Sequence, residues 1–146
     1  MFKKNGLTFS VAESCTGGLI SHYMTALPGA STFFEAGVIP YSAEAKQKIL
    51  GITSETIAQF GIVSEETAKE MSEKMRALTK TDISLSITGN LGPEVLEAKE
   101  KGLIYIAAST KEGAFSKQIR LTGTREENKE SASLHALKFL IEIMEK

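Results

Sequence analysis

The sequence predicts an α/β domain, a three-layer α/β/α sandwich around a mostly parallel, mixed sheet of about five strands. Three observations predict it. Short apolar runs alternate with longer segments whose apolar residues recur at helical spacing. Glycine, proline or capping residues separate these segments. Two late strand-like runs stand only a short turn apart, so an antiparallel hairpin joins the otherwise parallel set.

Leu7 to Ala12 reads as the first strand, and a helix at about 16–27 follows the turn Glu13-Ser14-Cys15-Thr16-Gly17-Gly18, with Pro28-Gly29 as its end. Phe33 to Tyr41 reads as a second strand, where Pro40 marks an edge or an irregular end. Ser42 caps a helix through Leu50, stopped by Gly51, and Thr53 or Ser54 caps a short one ending at Phe60-Gly61. Ser64 opens a long helix with Ala68, Met71, Met75 and Leu78 on one stripe and Glu65 and Glu66 in its first turn. Ile83 to Thr88 is a strand ending at Gly89, and the stretch Glu94 to Gly102 that follows has a helix-friendly pattern. Leu103 to Ser109 and Ala114 to Leu121 form the hairpin, joined by Lys111-Glu112-Gly113. Thr124-Arg125-Glu126-Glu127 is a capping box, and the helix it starts runs to the C-terminus with Leu134, Leu137, Ile141 and Met144 expected inward.

A chain of 146 residues makes one domain, 1–146, able to bury about two-thirds of its unfolded surface. Its 42% apolar and 24% charged residues are ordinary for a soluble protein. A net charge of −1 implies no polybasic face, so neither nucleic acid nor an anionic membrane is the expected partner. No apolar run approaches the ~20 residues that span a bilayer, and Met1 to Gly6 is no signal peptide. Cys15, the one cysteine, excludes an internal disulfide and fits a cytoplasmic location.

Few residue types are left for chemistry. Asp82 is the only aspartate, and it precedes a strand at the end opposite to Ser14; His22 and His135 are the only histidines. A Ser-His-Asp triad and a metal site are therefore not expected, and no Walker A or Gly-x-Gly-x-x-Gly calls for a nucleotide cofactor. Ligands of such sheets bind at strand C-termini beside helix N-termini. Three of these ends are polar: Ser14 with Thr16, Gly17 and Gly18; Tyr41 with Ser42; and Thr88 with Gly89. They converge only if the three strands run parallel. A serine before a helix is ordinarily an N-cap, but paired glycines weaken a first turn by about 1 kcal/mol each, which points to a close ligand. Helix-start N–H groups can hold a phosphate or an oxyanion. Ser14 or Cys15 can be the nucleophile. Lys46, one turn after Ser42 and close to Tyr41, is ordinarily a solvated charge, yet a partly buried lysine is a competent base. The Tyr41 hydroxyl can orient it or sit on the rim.

Together these blocks carry a resemblance. Val11-Ala12-Glu13-Ser14-Cys15-Thr16-Gly17-Gly18, Leu27-Pro28-Gly29, Gly37-Val38-Ile39-Pro40-Tyr41-Ser42-x-Glu44-Ala45-Lys46, Leu50-Gly51, Gly61-x-Val63-Ser64, Ile87-Thr88-Gly89-x-x-Gly92-Pro93 and Gly123-x-Arg125-Glu126 resemble the CinA C-terminal domain family, the nicotinamide-nucleotide amidases. The resemblance covers essentially the whole chain, as the single-domain form without the N-terminal domain of longer members. It implies hydrolysis of the carboxamide of nicotinamide mononucleotide, a small nucleotide substrate, with no cofactor. It implies Ser14 as nucleophile, Lys46 as base, backbone N–H groups around Thr16 and Gly17 for the oxyanion, and Arg125 for the phosphate; self-association is unsurprising. Where the family usually has a glycine-rich loop ending in Lys-Pro-Val-Gly, this chain has Glu94 to Gly102; Pro40, Asn90-Leu91, Thr124 and Lys129 also depart from the pattern. The alternatives are a catalytically silent nucleotide-binding or interaction domain and an amidase for a different small substrate.

Overall fold

The computed structural model describes residues 2–146. Its strands are β1 (Phe9–Glu13), β2 (Phe34–Val38), β3 (Ile83–Gly89), β4 (Leu103–Thr110) and β5 (Gly113–Arg120). Its helices are α1 (Phe2–Asn5), α2 (Leu19–Thr25), α3 (Ala43–Ala45), α4 (Ser54–Phe60), α5 (Glu65–Thr79) and α6 (Arg125–Met144), with α3 continuing as a wide π turn over Lys46–Leu50. The five strands form one sheet in the order β2-β1-β3-β4-β5. β1 pairs parallel with β2 and with β3, whereas β3–β4 and β4–β5 are antiparallel. The expected α/β/α sandwich with a mixed five-stranded sheet is thus the observed fold.

Period-two alternation sorts the side chains of each strand onto the two faces. Phe9, Val11, Ile83, Leu85, Ile87, Ile104 and Ile106 pack against α2 and α6 in the larger apolar core. The other face is thinner: Ala12, Leu50, Ile52, Met71 and Met75 form a small cluster under α5. Hydroxyls fill much of the rest. Ser10, Thr79 and Thr81 bond one another at 2.9 Å, and Ser86 donates to the Ala68 carbonyl of α5.

Two stripes differ from expectation. Leu78 is 60% exposed, because it faces away from the sheet while its neighbours Met75 and Thr79 pack against β1. On α6, Leu134 and Ile141 are 52% and 45% exposed, while Ala132, Ala136, Phe139, Leu140 and Ile143 are buried. Small residues let this helix lie close to α2 and the sheet, so the covered face is centred on Ala132, Ala136, Phe139 and Ile143 and leaves Leu134 and Ile141 outside it. Leu137 and Met144 do pack on the core, as expected. The caps at Ser42, Thr53, Ser64 and Thr124 all form, the last with its reciprocal Glu127 bond.

The order β2-β1-β3 decides where a ligand can bind. The chain leaves β1 toward one side of the sheet and returns to the other side of it, with α2 on one face and α5 on the opposite face. This makes the C-terminal ends of β1 and β3 a switch point, the usual ligand crevice of such sheets. No described helix is long and apolar enough to cross a membrane.

One buried hydroxyl, that of Ser84 on β3, has no hydrogen-bond partner. An unsatisfied buried polar group costs about 1–3 kcal/mol, so Ser84→Ala is expected to hold or raise stability by up to ~1 kcal/mol. Ser86→Ala, which removes a buried hydrogen bond to the Ala68 carbonyl, is expected to lower it by about the same amount. Urea unfolding of both variants measures the contrast; a clear loss of stability in Ser84→Ala would contradict it.

Candidate active site

The loop after β1 is built around Glu13, whose side chain is fully buried. Its carboxylate accepts from the Thr16 hydroxyl at 2.6 Å, the Ile20 and Ser21 N–H groups at 2.9 Å each, and the Ser21 hydroxyl at 2.7 Å. The negative charge sits at the positive end of α2 and satisfies its first-turn donors. That corrects one expectation: the helix start is occupied by the protein's own carboxylate and is no free anion site. It also starts later, at Leu19, because Gly17 and Gly18 have φ of +58° and +104°, which only glycine adopts cheaply. The paired glycines therefore answer first to backbone handedness. The Gly17 N–H donates to the Ser14 carbonyl, so it too is engaged. Among the described hydrogen bonds, none uses the N–H groups of Cys15 or Thr16.

With the cap supplied by Glu13, Ser14 points elsewhere. Its Oγ lies 2.9 Å from Lys46 Nζ, which also donates to the carbonyls of Pro40 at 3.1 Å and Tyr41 at 3.0 Å. Ser42 sets this up by capping α3, and Lys46 heads the π turn, where Ile52 N–H reaches back to the Lys46 carbonyl. Such wide turns re-aim a side chain without ending the helix. Lys46 is 0% exposed, and burial pushes its ammonium down from the ordinary lysine value to about 8, against the pull of the Glu97 charge. The outcome is an amine that exchanges its proton near neutral pH, hydrogen-bonded to a serine hydroxyl.

Cys15 points into the larger core. Burial pushes its thiol up to about 12, outweighing the nearby Lys46. It stays a thiol and is a poor nucleophile.

Tyr41 contributes in two ways. Its backbone carbonyl holds Lys46, while its half-exposed side chain accepts, through the hydroxyl, a 2.9 Å bond from Arg125 Nη2. Arg125 Nη1 donates to the Gly92 carbonyl at 2.7 Å. These residues border a cleft of about 410 Å³ whose other lining includes Asn90, Pro93, Glu94 and Leu96. Ser14 and Lys46 do not line this cleft; Tyr41, whose carbonyl holds Lys46, is the residue that joins them to it. Lys129 stands one helical turn beyond Arg125, its Nζ 3.4 Å from where a Cβ on Gly17 would be. Sequence reasoning noted it only as a departure, although i, i+4 spacing on a capped helix was the available signal. Thr88 and Gly89 do not line the cleft. The Thr88 hydroxyl donates to the Ile62 carbonyl at 2.7 Å, and a Cβ on Gly89 would strike Ile104 of β4. Asp82 sits at the far end of β3, accepting from Thr8.

A sequence profile described as the CinA C-terminal domain matches residues 1–144. The chain belongs to this family. A CinA-like protein of Kosmotoga olearia is 43% identical over 141 residues, which are 96% of this chain and 34% of that protein. This chain thus spans about a third of the length of the curated relatives it matches. Among crystal structures, competence damage-inducible protein A of Klebsiella pneumoniae superposes with a TM-score of 0.94 at 32% identity, covering 97% of this chain and 88% of that one. The CihA protein of Agrobacterium tumefaciens gives a TM-score of 0.91 at 33% identity, covering 96% and 87%.

For this CinA domain, the thiol assignment is checked by alkylation. Iodoacetamide at pH 7.5 is expected to leave Cys15 unmodified in the folded protein over an hour and to label it fully in urea, as read by intact mass. Rapid labelling of the folded protein would reinstate Cys15 as a nucleophile.

Proposed function

We propose that this CinA domain is a Ser–Lys amidohydrolase acting on nicotinamide mononucleotide, releasing ammonia and nicotinate mononucleotide. The observation that carries the reading is the buried 2.9 Å contact between Ser14 Oγ and Lys46 Nζ, with burial holding the amine's pKa at about 8. A cap or a surface lysine needs no such arrangement. The silent-binding alternative shares the cleft but gives no reason for a desolvated amine on a serine.

Neutral Lys46 takes the Ser14 proton as Oγ bonds to the carboxamide carbon. The oxyanion that forms is met by backbone donors; the N–H groups of Cys15 and Thr16, next to the nucleophile, and that of Gly18 make none of the described hydrogen bonds. Such a donor contributes about 3 kcal/mol. Lys46 then returns the proton to the leaving nitrogen, the C–N bond breaks, and ammonia departs. Water, deprotonated by the same amine, cleaves the ester and restores Ser14. Arg125 exchanges its bonds to Gly92 and Tyr41 for the substrate phosphate as a bidentate fork, supported by Lys129.

Ammonia release from nicotinamide mononucleotide by the pure protein tests the reading. Ser14→Ala and Lys46→Met are each expected to lose at least ~10³-fold in kcat; full activity in Ser14→Ala would sink the nucleophile assignment. The pH profile has a determined sign. The base works unprotonated, and about a tenth of it is neutral at pH 7 if its pKa is about 8. kcat/KM should therefore rise nearly tenfold per unit below pH 8 and level off above it. A profile that falls as pH rises from 6 to 9 would remove Lys46 from the base role.

A further inference from the structure

The segment after Gly92 has no helix, against its helix-friendly composition. It folds back at Glu97-Ala98, where Leu96 and Lys99 form an antiparallel bridge and the Lys99 N–H donates to the Leu96 carbonyl at 2.8 Å. Glu97 and Ala98 have φ of +53° and +58°. Two successive non-glycine residues in this region persist only where the surroundings over-determine them.

The surroundings here are the residues linking α4 to α5. The Glu97 carboxylate accepts from the N–H groups of Ile62 at 2.9 Å and Val63 at 3.0 Å. Lys99 Nζ donates to the carbonyls of Phe60 at 3.0 Å and Val63 at 2.6 Å. A Cβ on Gly61 would stand 2.6 Å from the Glu97 carboxylate, so glycine there makes the clasp possible. The segment so held turns Pro93, Glu94 and Leu96 toward the cleft shared with Tyr41 and Arg125.

We propose that residues 93–100 are a clasped strap that determines the specificity of the site. Leu96 and Glu94 meet the ligand, and Glu97 and Lys99 are positioning residues that hold them in place. The wall they build has an apolar side chain and a carboxylate facing an aromatic ring and a guanidinium. It complements a compact molecule with a flat ring, an anionic group for Arg125 and a positive charge for Glu94. The choice of a carboxamide nucleotide as probe rests on the amidase reading above.

The test compares wild type with Leu96→Ala, Glu94→Gln, Glu97→Ala and Glu97→Gln. KM and kcat come from ammonia release, and Kd from calorimetry in a Ser14→Ala background. The probes are nicotinamide mononucleotide and its reduced form, which has nearly the same shape but an uncharged ring. Leu96→Ala and Glu97→Ala are expected to raise KM and Kd about tenfold with kcat within threefold, and Glu97→Gln to recover part of the loss. Glu94→Gln is expected to erase a preference of about tenfold for the charged ring. Values within twofold of wild type for both Leu96→Ala and Glu94→Gln overturn the proposal, and these exposed positions decide it even if Glu97→Ala fails to fold. A wild type that binds but releases no ammonia counts against the amidase reading alone, and the Kd values then judge the strap. A wild type that binds neither nucleotide overturns the strap's ligand class.

Discussion

Glu13 is a carboxylate with no access to water, placed where β1 gives way to α2. A buried charge is expensive unless it is fully hydrogen-bonded, and four donors from Thr16, Ile20 and Ser21 supply that compensation. Bonds to a charged acceptor contribute about 1.5–3 kcal/mol each, enough to hold a turn containing two left-handed glycines in one conformation. The consequence reaches the neighbouring residue. A serine in this position is normally consumed by capping, whereas here the cap comes from the preceding side chain and the Ser14 hydroxyl is released toward Lys46. Parallel pairing of β1 with β2 brings the Tyr41 carbonyl and α3 to the same end of the sheet, so the partner arrives from a separate stretch of chain.

Lys46 is held between opposing demands. Burial disfavours its charge, while the Pro40 and Tyr41 carbonyls, together with Ser14 Oγ, offer one acceptor for each ammonium hydrogen. Burial lowers its pKa, and the nearby Glu97 charge holds it up. The compromise near 8 leaves both forms accessible. A general base needs this, since it must accept a proton and then give it up.

Local grammar was legible in the sequence. Caps at Ser42, Thr53, Ser64 and Thr124 depend on residues within one turn and were readable as such. So were the strand runs, whose alternation is local. What could not be read depends on distant partners. Glu13 looks like the end of a strand until α2 folds over it. The buried face of α6 is set by how closely alanine and serine let it approach, a quantity that leucine spacing does not encode. The strap has helix-forming residues, but its four bonds to residues 60–63 outweigh a preference worth only tenths of a kcal/mol per residue. The Ser14–Lys46 pair was visible as two candidates; Tyr41 was named for its hydroxyl, and the atom that holds Lys46 is its carbonyl.

The two halves of the site are held by different means. The reacting pair is fixed by the sheet end, a buried carboxylate and a helix cap, all within elements that cannot move without disturbing the core. The cleft wall is fixed by two charged side chains, Glu97 and Lys99, gripping the α4–α5 link, which belongs to neither Ser14 nor Lys46. Changes in residues 93–100 can therefore alter what the site accepts while leaving the nucleophile intact. The separation has one thread across it. The Glu97 charge acts on Lys46 through space, favouring its protonated form. The clasp that shapes the wall also keeps the base from being depressed further, and rebuilding the strap without a carboxylate there would shift the pH at which the amine becomes available.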